Sequence, residues 1–142
     1  FVDFGLVIPE QENIETGPCS GEHPEGVVCW YSWNITNWGT KWNAYDSKIE
    51  QLPEDMVMVQ FDTAWNHPAQ VVHALSLRLP NDSLSVLYAD EDLGSNLGHY
   101  IIANGRIAYE QEFASDKDRL EFASRVRYGV PYSEFQADKL ND

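Results

Sequence analysis

Asn37-Trp38-Gly39-Thr40-Lys41-Trp42-Asn43-Ala44-Tyr45-Asp46 is the stretch on which the reading of this chain turns. It sets two tryptophans, a tyrosine and a glycine in a turn-like run, with Trp30, Tyr31 and Trp33 just upstream. Aromatic rings at that density are costly to leave in water. A second block, Phe61-Asp62-Thr63-Ala64-Trp65, ends the clearest strand of the chain. Asn37, Trp38, Gly39, Thr40, Lys41, Trp42 and Trp65 are therefore expected to form a structural motif. In it Trp38 and Trp42 pack on Trp65 and pin a turn at Gly39. The competing reading is a stacking platform for a base, a sugar or a partner side chain. A nucleic-acid platform also needs a basic groove, and the nearby bases are Lys41 and Lys48 alone.

Outward from this stretch, Val2 to Ile8 reads as a strand stopped by Pro9. Residues 10–26, rich in glycine, proline and acids, read as a solvated loop. Val27 to Ile35 is a short helix or a strand, and periodicity cannot arbitrate over so few residues. Lys41 to Tyr45 and Met56 to Thr63 read as strands, the second with Val57, Val59 and Phe61 on one face. Asn66 is placed to cap a helix with Pro68 in its first turn. Val71, Val72, Leu75 and Leu79 would form that helix's apolar side. Leu84 to Tyr88, Gly98 to Ala103 and Arg106 to Glu110 make a meander, its last turn marked by Asn104-Gly105. Ser115, with Asp118 three residues on, opens a final helix that Gly129 closes. Strands adjoin one another more often than they alternate with helices. The class is α+β, a largely antiparallel sheet with helices on one face. One domain is expected over 1–142: core sheet and helices over 1–112, a C-terminal helix over 113–130, and a docked or frayed tail over 131–142.

Charge is distributed in blocks. Of the net −14, residues 1–26 and 81–112 together carry −11. Glu10, Glu12, Glu15, Glu22, Glu25, Asp82, Asp90, Glu91 and Asp92 are accordingly the candidate partner-binding residues, suited to a basic protein surface. The bland counter-reading is that these acids keep a small protein soluble. Asp90-Glu91-Asp92 with Asp82 has the chemistry of a hard-cation site but not the order of an EF-hand, so a solvated acidic loop is expected. Lys117, Arg119, Arg125 and Arg127 are the one basic cluster, and the acidity of the whole disfavours direct nucleic-acid binding.

Cys19 and Cys29 allow one bond, yet two thiols of a cytoplasmic protein are the expectation. With His23 they lack the close ligand pair of a zinc site. Asn34-Ile35-Thr36 and Asn81-Asp82-Ser83 read as chance glycosylation sequons without a secretory leader. Phe1 in place of methionine is expected of a processed or partial chain. No apolar run approaches the roughly 18 residues of a membrane helix, so a soluble protein is expected.

His67, His73 and His99 are the candidates for acid–base chemistry. No serine or cysteine stands in a nucleophile elbow, and neither H-E-x-x-H nor a glycine-rich phosphate loop occurs. Asp62 and His67 flank Trp65 at a strand-to-helix junction, the best place for a small active site. Polar residues at such junctions more often cap the helix. No catalytic residue, metal or cofactor is expected.

Trp33 through Asp46, containing N-W-G-T-K-W, resembles the signature of the YubB-like proteins of plasmids and phages. Phe61 through Trp65 followed by Pro68 resembles that family's second block, with His67 standing where the family has a second proline. Asp3-Phe4 to Ile8-Pro9, and Tyr88-Ala89-Asp90-Glu91 with Gly98, are similar to two further blocks. The resemblance implies a ferredoxin-like sandwich encoded on mobile genetic elements, with no established activity. In that setting the acids suit a non-catalytic binding protein that masks a basic surface on a host defence or nucleic-acid-binding protein, in the host cytoplasm. A small enzyme at the Asp62/Trp65/His67 junction is the alternative.

Overall fold

The computed structural model describes residues 1–17, 19 and 27–141. His23, Glu22 and Glu25 lie outside them. The chain divides into two compact units, Phe1–Leu75 and Ser76–Asp142.

The first unit begins with a correction. Val2 to Ile8 is not a strand but a 3-10 turn at Phe4–Leu6. Asp3 caps it, its Oδ1 accepting from Gly5 N at 2.8 Å and from Asn43 Nδ2 at 2.7 Å. Asn43 Oδ1 in turn accepts from Phe4 N at 2.8 Å. These bonds turn the Phe4 ring into the core, where it meets Trp38 and Phe61 edge-on at 5.8 and 5.6 Å. Trp33 meets Trp38 edge-on at 5.4 Å, and Val71 completes the buried cluster. A short apolar run looks alike as strand or turn, and the distant Asn43 decides between them.

Residues 10–17 are not wholly loop. β1 (Ile14–Glu15) pairs in parallel with β2 (Val28–Cys29), and α1 (Trp30–Asn37) follows at once. Cys19 and Cys29 form a disulfide, which corrects the expectation of free thiols. α1 ends where Trp38 N and Gly39 N both donate to Asn34 O. Glycine suits this position because its φ is +79°, a conformation strained for residues with a side chain.

The strand expected over Lys41 to Tyr45 begins instead where that segment ends, as β3 (Tyr45–Gln51). It pairs antiparallel with β4 (Val57–Asp62), through Tyr45↔Asp62, Ile49↔Val59 and Gln51↔Val57, with a bulge between Tyr45 and Lys48. Most β3 side chains are exposed on both faces, so no alternation marks the strand in sequence. α2 (Ala69–Arg78) starts later than expected. Asn66 belongs instead to the preceding turn, its N–H donating to Ala64 O and its carbonyl accepting from Thr63 Oγ1.

In the second unit, β5 (Ser83–Tyr88), β6 (Gly98–Ala103) and β7 (Arg106–Glu110) form the expected antiparallel meander. Asn104 and Gly105 turn it with φ of 45° and 77°. α3 (Asp116–Tyr128) is capped by Ser115 Oγ, which accepts from Asp118 N, and Gly129 closes it at φ 70°. Beyond Pro131 the chain forms a further helix, α4 (Tyr132–Leu140), where a docked turn is expected from sequence. Tyr128 stacks on Phe135 at 4.9 Å, and Glu121 Oε2 accepts from Tyr132 N, so contacts to α3 hold what local propensity leaves open. The elements are those of an α+β protein with mostly antiparallel pairing.

Candidate functional site

The antiparallel register of β3 and β4 brings the segment entering β3 beside the segment leaving β4. Residues 39–46 and 62–65 therefore meet at one end of the hairpin. Two fully or nearly buried polar side chains tie their backbones down. Thr40 Oγ1 donates to Ala64 O at 2.7 Å, and Asn34 Nδ2 donates to Lys41 O at 2.8 Å. Buried bonds of this kind are costly to lose, because the partner carbonyl is left without water.

On this fixed backbone the tryptophans separate into two groups. Trp33 and Trp38 are buried, and Trp38 Nε1 donates to Ile8 O at 3.0 Å. Trp42 and Trp65 are 50% and 60% exposed. The expected packing of Trp38 and Trp42 on Trp65 is thus corrected: Trp38 is the pin, while Trp42 and Trp65 stand outside the core. Between the outer pair lies Lys41, its Nζ 4.7 Å from the Trp42 ring centre and 4.6 Å from that of Trp65. Tyr31 meets Trp65 edge-on at 6.3 Å, and Trp30 meets Tyr31 at 6.0 Å. Trp65 also adopts φ 72°, a left-handed conformation that is unfavourable for a bulky side chain.

His67 follows within the same turn. Burial lowers its pKa from 6.5 to about 4, so the imidazole is neutral at pH 7. Asp62 is exposed at the end of β4.

The acidic residues fall in both units. Glu10, Glu12 and Glu15 are exposed in the first. Glu15 pairs in register with Cys29, just ahead of Trp30 and Tyr31. The Cys19–Cys29 disulfide and a 3.0 Å bond from Trp30 Nε1 to Gly17 O hold the acidic segment at the start of α1. In the second unit, Asp82 precedes β5 while Asp90, Glu91 and Asp92 follow it. Six strand residues separate the ends of β5, about 20 Å. Asp82 therefore cannot share a cation with the other three. Asp90 Oδ1 accepts from Asp92 N, and Asp92 Oδ2 accepts from Ser95 Oγ, so this loop is built by its own carboxylates. Among the described residues, no group of three or more His, Cys, Asp or Glu side chains is placed to hold a metal ion.

A model of the family described as the ferredoxin-like domain in Api92-like protein matches residues 38–127. The chain belongs to that family. The matched segment opens at Trp38, inside the tryptophan signature, and runs through all five strands from β3 to β7 to near the end of α3. No curated protein and no solved structure matches the chain.

Within this ferredoxin-like domain the basic cluster is largely committed to the scaffold. Arg119 Nε and Nη2 both donate to Gly94 O, at 3.2 and 3.0 Å. Arg127 Nη1 donates to Ala89 O, with Glu91 3.7 Å from Nη2. Arg125 pairs with Glu121 one helical turn away. Lys117 remains exposed.

One polar constellation escapes motif reading altogether. Ser85 Oγ lies 3.0 Å from His99 Nε2, whose Nδ1 lies 3.3 Å from Gln111 Oε1. The neutral tautomer with hydrogen on Nδ1 satisfies both contacts. The three residues come from β5, β6 and the residue after β7, so strand register, not spacing, unites them. Beside them is a cavity of about 430 Å³ lined by Tyr88, His99, Tyr100, Gln111, Phe113 and Arg119. Burial, and then the neighbouring Tyr88, push the Tyr100 hydroxyl up to about 12, which keeps it neutral. Among the described residues, no helix is long and apolar enough to cross a membrane.

Proposed function

We propose that this protein is a non-catalytic binding protein that covers a basic surface on another protein. The observation that carries the reading is the charge imbalance of the first unit. Residues 1–75 hold eleven acids against Lys41 and Lys48, a net −9. Pairing within the unit cannot neutralise that excess, and one of the two lysines is held over indole rings. Such a field speeds encounter with Lys/Arg-rich surfaces and opposes acidic ones. Glu15 pairs in register with Cys29, just ahead of Trp30 and Tyr31 of the exposed aromatic cluster, and Glu10 and Glu12 are exposed a few residues before it. Asp82 and Asp90 to Asp92 are the acids of the second unit suited to such a surface.

The resemblance of the tryptophan signature to YubB-like proteins supports an origin on a plasmid or phage. In that setting a host defence or nucleic-acid-binding protein is the natural target. A single ferredoxin-like sandwich with helices on one sheet face is part of the same proposal. The alternative, an enzyme at the Asp62/Trp65/His67 junction, is weaker. An imidazole with a pKa near 4 has little proton affinity to offer as a base at neutral pH.

Competition tests the proposal. Host lysate is passed over the immobilised chain at low and at high salt, with duplex DNA as eluent. Basic nucleic-acid-binding proteins are expected to be retained at low salt and released by DNA. Retention of no basic protein at low salt would sink the reading.

A further inference from the structure

The outer tryptophans carry two independent costs. Their rings stand half or more in water, and Trp65 holds an unfavourable backbone conformation to put its ring there. The core does not require either ring, since Trp33, Trp38, Phe4 and Val71 fill it. What the rings do bind is a cation. The Lys41 ammonium lies over both at under 5 Å, the geometry of a cation–π contact. Carboxylates adjoin the cluster along the chain and the pairing: Asp46 and Asp62 stand at the hairpin end from which Trp42 and Trp65 lead off, and Glu15 pairs with Cys29, just ahead of Trp30 and Tyr31. All three are exposed.

We infer that Trp42 and Trp65, with Tyr31 beside them, form a receptor for an arginine side chain of the basic partner. A guanidinium is planar and weakly hydrated, so it stacks on an indole face better than an ammonium does, while its edge N–H groups reach carboxylates. The aromatic rings supply the desolvated centre and the acids the rim, the usual anatomy of an interface hot spot. Lys41 is the internal occupant, and the incoming arginine either displaces it or takes the outer ring faces. This inference rests on the basic-partner reading and adds the side chain recognised and the residues that recognise it.

The test titrates the full chain with an arginine nonapeptide and with a lysine nonapeptide of equal charge, following binding calorimetrically across salt concentrations. Arginine is expected to bind about tenfold tighter than lysine. Trp42→Leu and Trp65→Gly should bring arginine affinity down to the lysine level while leaving the salt slope unchanged. Trp65→Gly should also leave the urea midpoint unchanged or higher, because glycine accepts a positive φ. Lys41→Met should strengthen arginine binding. An arginine preference that survives both tryptophan substitutions overturns the receptor while the charge reading stands. Failure of both peptides to bind at low salt overturns the charge reading and the receptor with it.

Discussion

Thr40 and His67 show how single residues set up the tryptophan cluster. Thr40 is fully buried, and its hydroxyl bond to Ala64 O is the staple between the two turns that carry Trp42 and Trp65. Thr40→Val keeps the shape and leaves the carbonyl unpaired, so urea denaturation should register a loss of about 1–3 kcal/mol. His67 ties the same turn to pH. Its folded pKa, about 4, lies below the unfolded value of 6.5. Between those values the unfolded chain holds a proton that the folded chain does not. Stability therefore falls as pH drops through this window, by at most about 3–4 kcal/mol, and His67 contributes no slope above it. Wild type and His67→Leu compared by urea midpoint from pH 7 to 4 should differ in slope. Parallel curves would contradict the buried neutral imidazole.

At the scale of elements, the parts legible in sequence are those with local chemistry. Asn104-Gly105 adopts the left-handed pair that a tight hairpin needs, and Ser115 caps α3 while Gly129 ends it. β4 follows its apolar run within a residue at each end. Elements that depend on distant partners were not legible. β3 is exposed on both faces and carries no alternation, and the Phe4 turn is fixed by Asn43, far along the chain. The short β1–β2 pair is held by the Cys19–Cys29 bond, which spans a sequence separation of 10. A loop of that length predicts a loss of about 2–3 kcal/mol when both cysteines become serine. Wild type under reduction should show the same shift in urea midpoint as the double variant.

At the scale of the molecule, charge is the property that no local contact sets. The net −14 is a sum over residues, and the first unit's −9 cannot be cancelled within it. Replacing Glu10, Glu12 and Glu15 by glutamine should slow association with a basic probe about tenfold at low salt and flatten its salt dependence. Unchanged stopped-flow rates would show that the binding field lies elsewhere. Composition, the Asn104-Gly105 turn, the two caps of α3, the meander and the N-W-G-T-K-W block are determined by sequence alone, because each depends on neighbours along the chain or on a simple total. Tertiary structure decided which tryptophans are core and which are surface, that the cysteines bond, and that Arg119 and Arg127 bond to distant backbone carbonyls. The reason is physical: burial and pairing are properties of what the rest of the chain brings into contact. Trp38 and Trp42, four residues apart with the same side chain, therefore end in opposite environments.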